Sequence, residues 1–324
     1  MTRMIIDEAA FADAVAAAVR APSLHNSQPW RFRMRDGEVE VLADRERQLP
    51  ASDPTGWALR IACGAATFNM RLAFAAQGRS VDVRWRPSAT EPDVLAALRP
   101  GAPRQASPQE QSLYRAIPRR HSNRQPFWPE PVPTEARAKL VEAARAEGAW
   151  LELVTGTAAV AAVAEIANAA NRVLSRDAHY LAELASWTRR EEVAQDGVPT
   201  AAGGPRPEPH DLFPQRPFGD RAQATGRGFE PEPLVAILGT PGDTAIDQLC
   251  AGQALERVLL TITDLGLAAS MISQPIEVPA AREQLRVALG RFGSPQMVLR
   301  VGYGEHGFAT PRRAVADVID SAPI

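Results

Sequence analysis

The sequence predicts an α+β fold built from two similar halves in one chain, and three observations carry that reading. Residues 57–77 and 243–267 are apolar nearly all round, as buried central helices are. Short runs at 30–34, 39–42, 81–85, 150–154, 234–238 and 296–301 alternate or stay apolar in the manner of strands. Finally, there is an internal echo. Cys63-Gly64 is followed by Gly78, fourteen residues after Gly64, and Ala251-Gly252 by Gly266, fourteen residues after Gly252. The first half is assigned to residues 1–108 and the second to 109–324, with a lid at about 191–233.

In chain order, an alanine-rich helix over 11–20 stops at Pro22, because proline supplies no N–H and disfavours helix in the residue before it. Asp36-Gly37 is a hairpin turn between strands 30–34 and 39–42. The long helix 57–77 ends at Gly78, and strand 81–85 follows. Residues 87–108 read as a proline-rich connection around a short helix at 93–98. Thr134 is the expected N-cap of a helix reaching 147. A helical region covers about 157–190. Residues 191–233 are rich in Pro and Gly and lack periodicity, yet carry Leu212, Phe213, Phe218 and Phe229. Anchored at both ends, this segment is expected to be an ordered lid. A last helix is expected at 278–289, before strand 296–301.

Composition removes several function classes. A chain of 324 residues with 45% hydrophobic residues can build a full core. The net charge of −2 gives no basic field for nucleic acid. Lys139 is the single lysine, so the abundance of arginine by itself says little about anion binding. With only Cys63 and Cys250, a disulfide framework is not indicated and a reducing cytoplasm is expected. No signal peptide or membrane span is expected. The five histidines show no metal spacing. Gly302-Tyr303-Gly304-Glu305-His306-Gly307 satisfies the dinucleotide fingerprint literally, but Pro311 stands where its helix should run.

Two stretches carry chemistry. Ala21-Pro22-Ser23-Leu24-His25-Asn26-Ser27-Gln28-Pro29 places polar side chains on proline-fixed backbone, which suits gripping a flat polar heterocycle. Arg120-His121-Ser122-Asn123-Arg124 puts two guanidinium groups and a hydroxyl on one side of an extended segment. Arginine matches phosphate bidentately. The second half has no loop of the first kind before Trp150, and residues 1–20 hold no Arg-x-Ser-x-Arg, so the two motifs complement each other once.

With these motifs, and with Gln296 to Tyr303 and Pro311-Arg312-Arg313 at the end, the chain resembles the nitroreductase-like FMN proteins, and within them the Acg family. The resemblance implies an α+β nitroreductase-like fold with FMN held between the halves. Arg120 would bind the phosphate and Ser122 the ribityl chain or phosphate. Arg124 would face the pyrimidine edge of the ring. Pro22, Ser23 and Asn26, with Leu24 beside them, would contact the isoalloxazine from the other half. Arg313 with Arg312 would reach the phosphate, His121 belongs to the arginine segment, and backbone around Met271 to Gln274, Ser273 included, would lie near the N5 side of the ring. Catalysis would be the flavin's own, with no side-chain acid or nucleophile required. The implied partners are FMN, NAD(P)H and a small nitro- or quinone-like acceptor. An FMN-sequestering protein without turnover, its flavin shielded by the lid, and a cofactor-free scaffold stay open at this point.

Overall fold

A computed structural model of the chain describes residues 6–189, 194–205, 211–218, 234–305 and 307–320. Helix α1 (Glu8–Ala18) starts where the Asp7 carboxylate accepts a hydrogen bond from the Ala10 N–H at 2.8 Å. Strands β1 (Trp30–Arg35) and β2 (Glu38–Ala43) form the expected antiparallel hairpin. At its turn Asp36 and Gly37 both hold positive φ, 54° and 76°, the backbone that a two-residue hairpin needs to match strand twist. Trp30 and Phe32 are fully buried, while Arg31 and Arg33 reach carboxylates nearer the surface. Helix α2 (Trp57–Ala76), β3 (Arg79–Trp85) and β4 (Val94–Pro103) complete this half.

Strand β4 corrects the sequence reading of a helix at 93–98. Val94 to Leu98 are all buried, and they pair with β2 on one side and β3 on the other. A short apolar run buried on both faces has no period of its own, so pairing decides its structure.

The second half begins with α3 (Pro108–Ala116), closed by a Ser107–Glu110 capping box. Helix α4 (Thr134–Arg145) starts one residue earlier than expected. Pro133 holds the extended cap backbone (φ −60°, ψ 148°), so Thr134 is already helical and caps nothing. Then come β5 (Trp150–Val154), α5 (Thr157–Leu174), α6 (Ala178–Ser186) and the small parallel pair β6 (Thr188–Arg189) and β7 (Val198–Pro199). The chain continues through β8 (Leu234–Thr240), α7 (Ala245–Asp264), β9 (Ala268–Ile272), α8 (Gln274–Glu277), α9 (Pro279–Ala288), β10 (Ser294–Gly302) and α10 (Val315–Val318). Phe229 of the expected lid lies outside the described residues. No helix follows Gly307 before α10, so the glycine fingerprint has no βαβ context.

The strands make two four-stranded antiparallel sheets, β1-β2-β4-β3 and β5-β8-β10-β9. Counted among each sheet's own strands in chain order, both read first, second, fourth, third. Each gains a bridge at an edge. Ile319 pairs parallel with Phe32 beside β1, and Ser122 pairs parallel with Ala269 beside β9.

Between the sheets α2 and α7 cross at closest approach through Gly64 and Gly252. A Cβ on Gly64 would stand 2.1 Å from the Leu249 carbonyl oxygen, and one on Gly252 would stand 2.1 Å from that of Ile61. Ile61 and Leu249 each precede their glycine by three residues, so the contact is reciprocal, as a two-fold interface would be. The cores interlock around it. Trp57, Ala58 and Ile61 of α2 pack into the core of the second sheet, and Leu249 and Leu260 of α7 into that of the first. Cys63 and Cys250 are both free thiols. No helix among the described residues is long and apolar enough to cross a membrane.

Candidate functional site

The loop after α1 is held in a conformation few side chains adopt. His25, Asn26 and Gln28 all have positive φ, between 52° and 55°. Three left-handed non-glycine residues so close together cost energy that the surroundings must return. The returns are visible as hydrogen bonds. The Ser23 hydroxyl accepts from the Gln28 N–H at 2.9 Å. The Asn26 amide donates to Gly197 O and Pro311 O, at 2.9 and 3.0 Å, and its oxygen accepts from Arg312 at 2.9 Å. Gln28, fully buried, donates to Gln195 O and accepts from the Arg313 N–H.

Beside this loop lies a concentration of positive charge. The buried Arg120 donates from Nη2 to the Arg20 carbonyl at 3.0 Å. Arg312 reaches the same carbonyl at 3.3 Å. Glu256 in α7 is the carboxylate at this cluster, its Oε1 3.6 Å from Arg120 Nε. The Nε atoms of Arg120 and Arg312 and both oxygens of Glu256 are buried without a hydrogen bond among the described residues. Burial, and then the cations of Arg120 and Arg20, push the Arg312 guanidinium down to about 9. Buried guanidiniums that repel one another and keep unused donors describe a place for an anion.

From Arg120 the chain runs extended to Arg124, roughly 13 Å at strand rise, and enters a cleft. The cleft is half open to solvent and is lined by residues from both central helices and several loops. Pro22, Ser23, Leu24 and His25 line it together with Ser270 to Gln274. Trp57, Ile61 and Leu255, from the two central helices, supply apolar lining. Pro214, Gln215, Arg216 and Phe218, from the segment expected to be a lid, also line it. The described parts of the segment expected to be a lid are held by Phe213 in the second core, by Phe218 beside Tyr180 and Leu184, and by residues 195–197 on the loop. Arg124 donates to Ala202 O at 3.0 Å and lies 5.1 Å from the centre of the Phe218 ring.

Arg216 is the lid residue that reaches deepest. It pairs with buried Glu277, donates to Ser273 Oγ at 2.9 Å, and meets His25 Nε2 at 3.1 Å. A guanidinium can only donate, so Nε2 accepts and the imidazole proton sits on Nδ1. Burial, then Arg216 and Arg124, hold His25 well below the ordinary imidazole pKa, so the ring is neutral. Its buried Nδ1–H makes no hydrogen bond among the described residues.

The residues expected at a site thus divide. Pro22, Ser23, Leu24, Arg124, Met271 and Ser273 line the cleft, and Arg120 and Arg312 form the cation cluster. Ser122 is bridged to Ala269, and His121 lies against Gly307. Asn26 spends its amide on Gly197, Pro311 and Arg312, tying three segments together. Arg313 turns from its neighbour and engages Asp44 Oδ2 at 3.2 Å and Asp317 O at 2.9 Å. Sequence reasoning missed His25, Arg216, Glu277 and Glu256. His25 stood within the quoted loop, and Glu256 interrupts an apolar helix, a signal of a buried acid with a purpose. Arg216 sits among prolines that give no period to orient it.

A profile described as the nitroreductase family matches residues 117–303. The chain belongs to the nitroreductase family. Its relatives place this family member with the Acg type. Two Mycobacterium tuberculosis proteins provisionally named NAD(P)H nitroreductases are similar along nearly its whole length. Rv3131 is 33% identical over 315 residues, 94% of this chain and 89% of the relative. Acg is 30% identical over 316 residues, 94% and 93% of the two chains. Among solved structures, the NADPH complex of the FMN-dependent nitroreductase NfnB from Mycobacterium smegmatis is 19% identical. It covers 66% of this family member and 99% of its own chain, with a TM-score of 0.40.

Proposed function

We propose that this nitroreductase-family protein is an FMN-dependent oxidoreductase. In this reading it passes electrons from a nicotinamide donor to nitro- or quinone-like acceptors, acting in the cytoplasm. The observation that carries it is the pairing of one cation cluster, holding unused buried donors, with one cleft lined by the loop at 22–25 and by both central helices, joined by the segment 120–124. Arg120 and Arg312 would hold the phosphate, and Ser122 lies on the path between phosphate and ring. Pro22, Ser23 and Leu24 would flank the ring opposite Met271 and Ser273. The flavin, when bound, supplies the redox chemistry. The chain's residues bind it, orient it and keep water out.

The reading includes an internal duplication. The shared strand order, the reciprocal Gly64–Gly252 contact and the division of motifs support two ancestral copies of which one kept the loop and the other the arginine segment. One FMN per chain follows. Titrating apoprotein with FMN should saturate near one equivalent. Saturation at two would mean that the second copy retains a site. A colourless protein that takes up no FMN would end the flavin assignment.

The buried Arg216–Glu277 pair favours a second reading, in which the lid stays latched and the protein holds FMN without turnover. Anaerobic mixing with NADH or NADPH separates the two. Bleaching of the flavin absorbance supports the oxidoreductase, and an unchanged spectrum supports sequestration.

A further inference from the structure

Glu256 has no task in the proposed chemistry, and its surroundings are unusual for an acid. It sits in the middle of α7 with no solvent exposure, and neither oxygen makes a hydrogen bond among the described residues. A buried carboxylate with little beyond the Asn69 amide to donate to it keeps its charge chiefly by proximity to cations. The groups that face it come from separate elements. Arg120 follows α3, with its own Nε unpartnered at 3.6 Å, Arg312 belongs to the C-terminal arm, and the Asn69 amide lies on α2. Arg20, at the end of α1, shares the cluster through its carbonyl. Burial already pushes the Glu256 carboxyl upward, opposed by Arg120, Asn69 and Arg312.

We infer that Glu256 couples cofactor binding to proton uptake: a phosphate group settling on Arg120 and Arg312 displaces the carboxylate as their counter-ion, and Glu256 takes a proton from solvent. The inference rests on the FMN reading above. A phosphate monoester brings about −1.5 to −2 charges and three acceptor oxygens. It claims the guanidinium donors that Glu256 does not use, and it sets a like charge beside the carboxylate. Neutralising Glu256 is the way a buried site accommodates both groups. The balance is simple: the carboxylate and one proton become the carboxylic acid, and no electrons move. Glu256 is therefore a positioning residue, acting on the cofactor through Arg120 and Arg312.

The test is calorimetric titration of apoprotein with FMN, in buffers of different ionisation enthalpy, between pH 7 and 8, below the value of about 9 to which burial pushes Arg312. The buffer dependence of the heat counts the protons taken up. The unmodified protein should take up close to one proton per FMN, and its FMN affinity should fall about tenfold per pH unit where the coupling operates. Riboflavin, which lacks the phosphate, should bind with no uptake. Glu256→Gln should bind FMN with no uptake and an affinity that is flat over this range. The second ionisation of the phosphate, near pH 6, lies below the window and is common to both proteins.

FMN binding without proton uptake, equal uptake with riboflavin, or unchanged uptake in Glu256→Gln would each overturn the inference while leaving the FMN assignment in place. Failure of the unmodified protein to bind FMN would remove both. Should the variant not fold, the comparison of FMN with riboflavin on the unmodified protein decides.

Discussion

The two halves place the same connection between helix and first strand, and build it differently. From α1 to β1 the chain takes residues 19–29, with three non-glycine residues in left-handed backbone. From α4 to β5 it takes only residues 146–149, and its one left-handed position is a glycine, Gly148, at φ 76°. The short connection is locally relaxed and carries no ligand-facing side chain. The long one is strained and is held by distant partners, residues 195–197 of the lid and 311–313 of the C-terminal arm. What separates a linker from a binding loop here is therefore not length alone. It is whether the remainder of the chain compensates an unfavourable backbone, since such strain persists only where the surroundings over-determine it.

The sharpest way to break the comparison is at the shared axis. Gly64→Ala and Gly252→Ala each drive a methyl group against backbone of the facing helix, which cannot swing aside as a side chain could. Each should cost about 3 kcal/mol or more, read by denaturant unfolding, and the two should cost alike. A large inequality would mean that the halves do not meet symmetrically.

The starts of the two central helices come next. The first turn of α7 is closed by an exposed Thr244–Asp247 capping box, that of α2 by Asp53, whose carboxylate accepts from the Ala58 and Leu59 N–H groups. Asp53 is buried, and desolvation raises it to about 6 against those two hydrogen bonds. A carboxyl raised in the folded state contributes stability that is complete below its unfolded pKa and is lost as pH rises through the folded value. Between about pH 4 and 6 this group should lower stability by about 3 kcal/mol, and Asp53→Asn should remove that slope. Identical pH profiles for the two proteins would refute the assignment.

At the cation cluster the adjacent arginines should behave differently. Arg312→Ala should weaken FMN by about 1.5–3 kcal/mol, the worth of a charge-assisted hydrogen bond, and leave riboflavin affinity nearly unchanged. Arg313→Ala should lower the unfolding midpoint, because buried Asp44 keeps only the longer contact to Arg31 of its two arginine pairings, while FMN affinity changes less than twofold. Equal losses of FMN affinity would return Arg313 to the phosphate. The smallest effect is expected at Gly148. A Cβ there meets nothing within 4 Å, so Gly148→Ala should cost only the left-handed backbone, about 1–2 kcal/mol.

Much of this architecture was legible in the residues. The central helices announced themselves by apolar faces all round, the β1–β2 hairpin by alternation around Asp36-Gly37, and the residues that line the cleft and build the cation cluster in part by the loop at 21–29 and the arginines at 120 and 124. β4 was not legible, because Val94 to Leu98 spell an apolar run that becomes a strand only when β2 and β3 flank it. The division between Arg312 and Arg313 was equally hidden. Neighbours along an extended arm point to opposite sides, and which side holds the cluster depends on Arg20 and Asn26, nearly 300 residues away. Asn26 was recognised as a site residue, but its work as a tie between three segments depends on contacts no local pattern reveals.

The C-terminal arm gives the molecule a dependence on order in time. Translation supplies residues 311–313 after every other piece of the site, and only then does the loop at 25–28 gain Pro311 O, Arg312 and the Arg313 N–H as partners. A nascent chain stalled before that point exposes the flank of β1 where Ile319 should lie, and it lacks one of the guanidiniums of the cluster. Addition of the arm, rather than completion of either sheet, thus supplies the last guanidinium of the cluster. A protease that trims the arm would return a finished molecule to that earlier state without cutting either core.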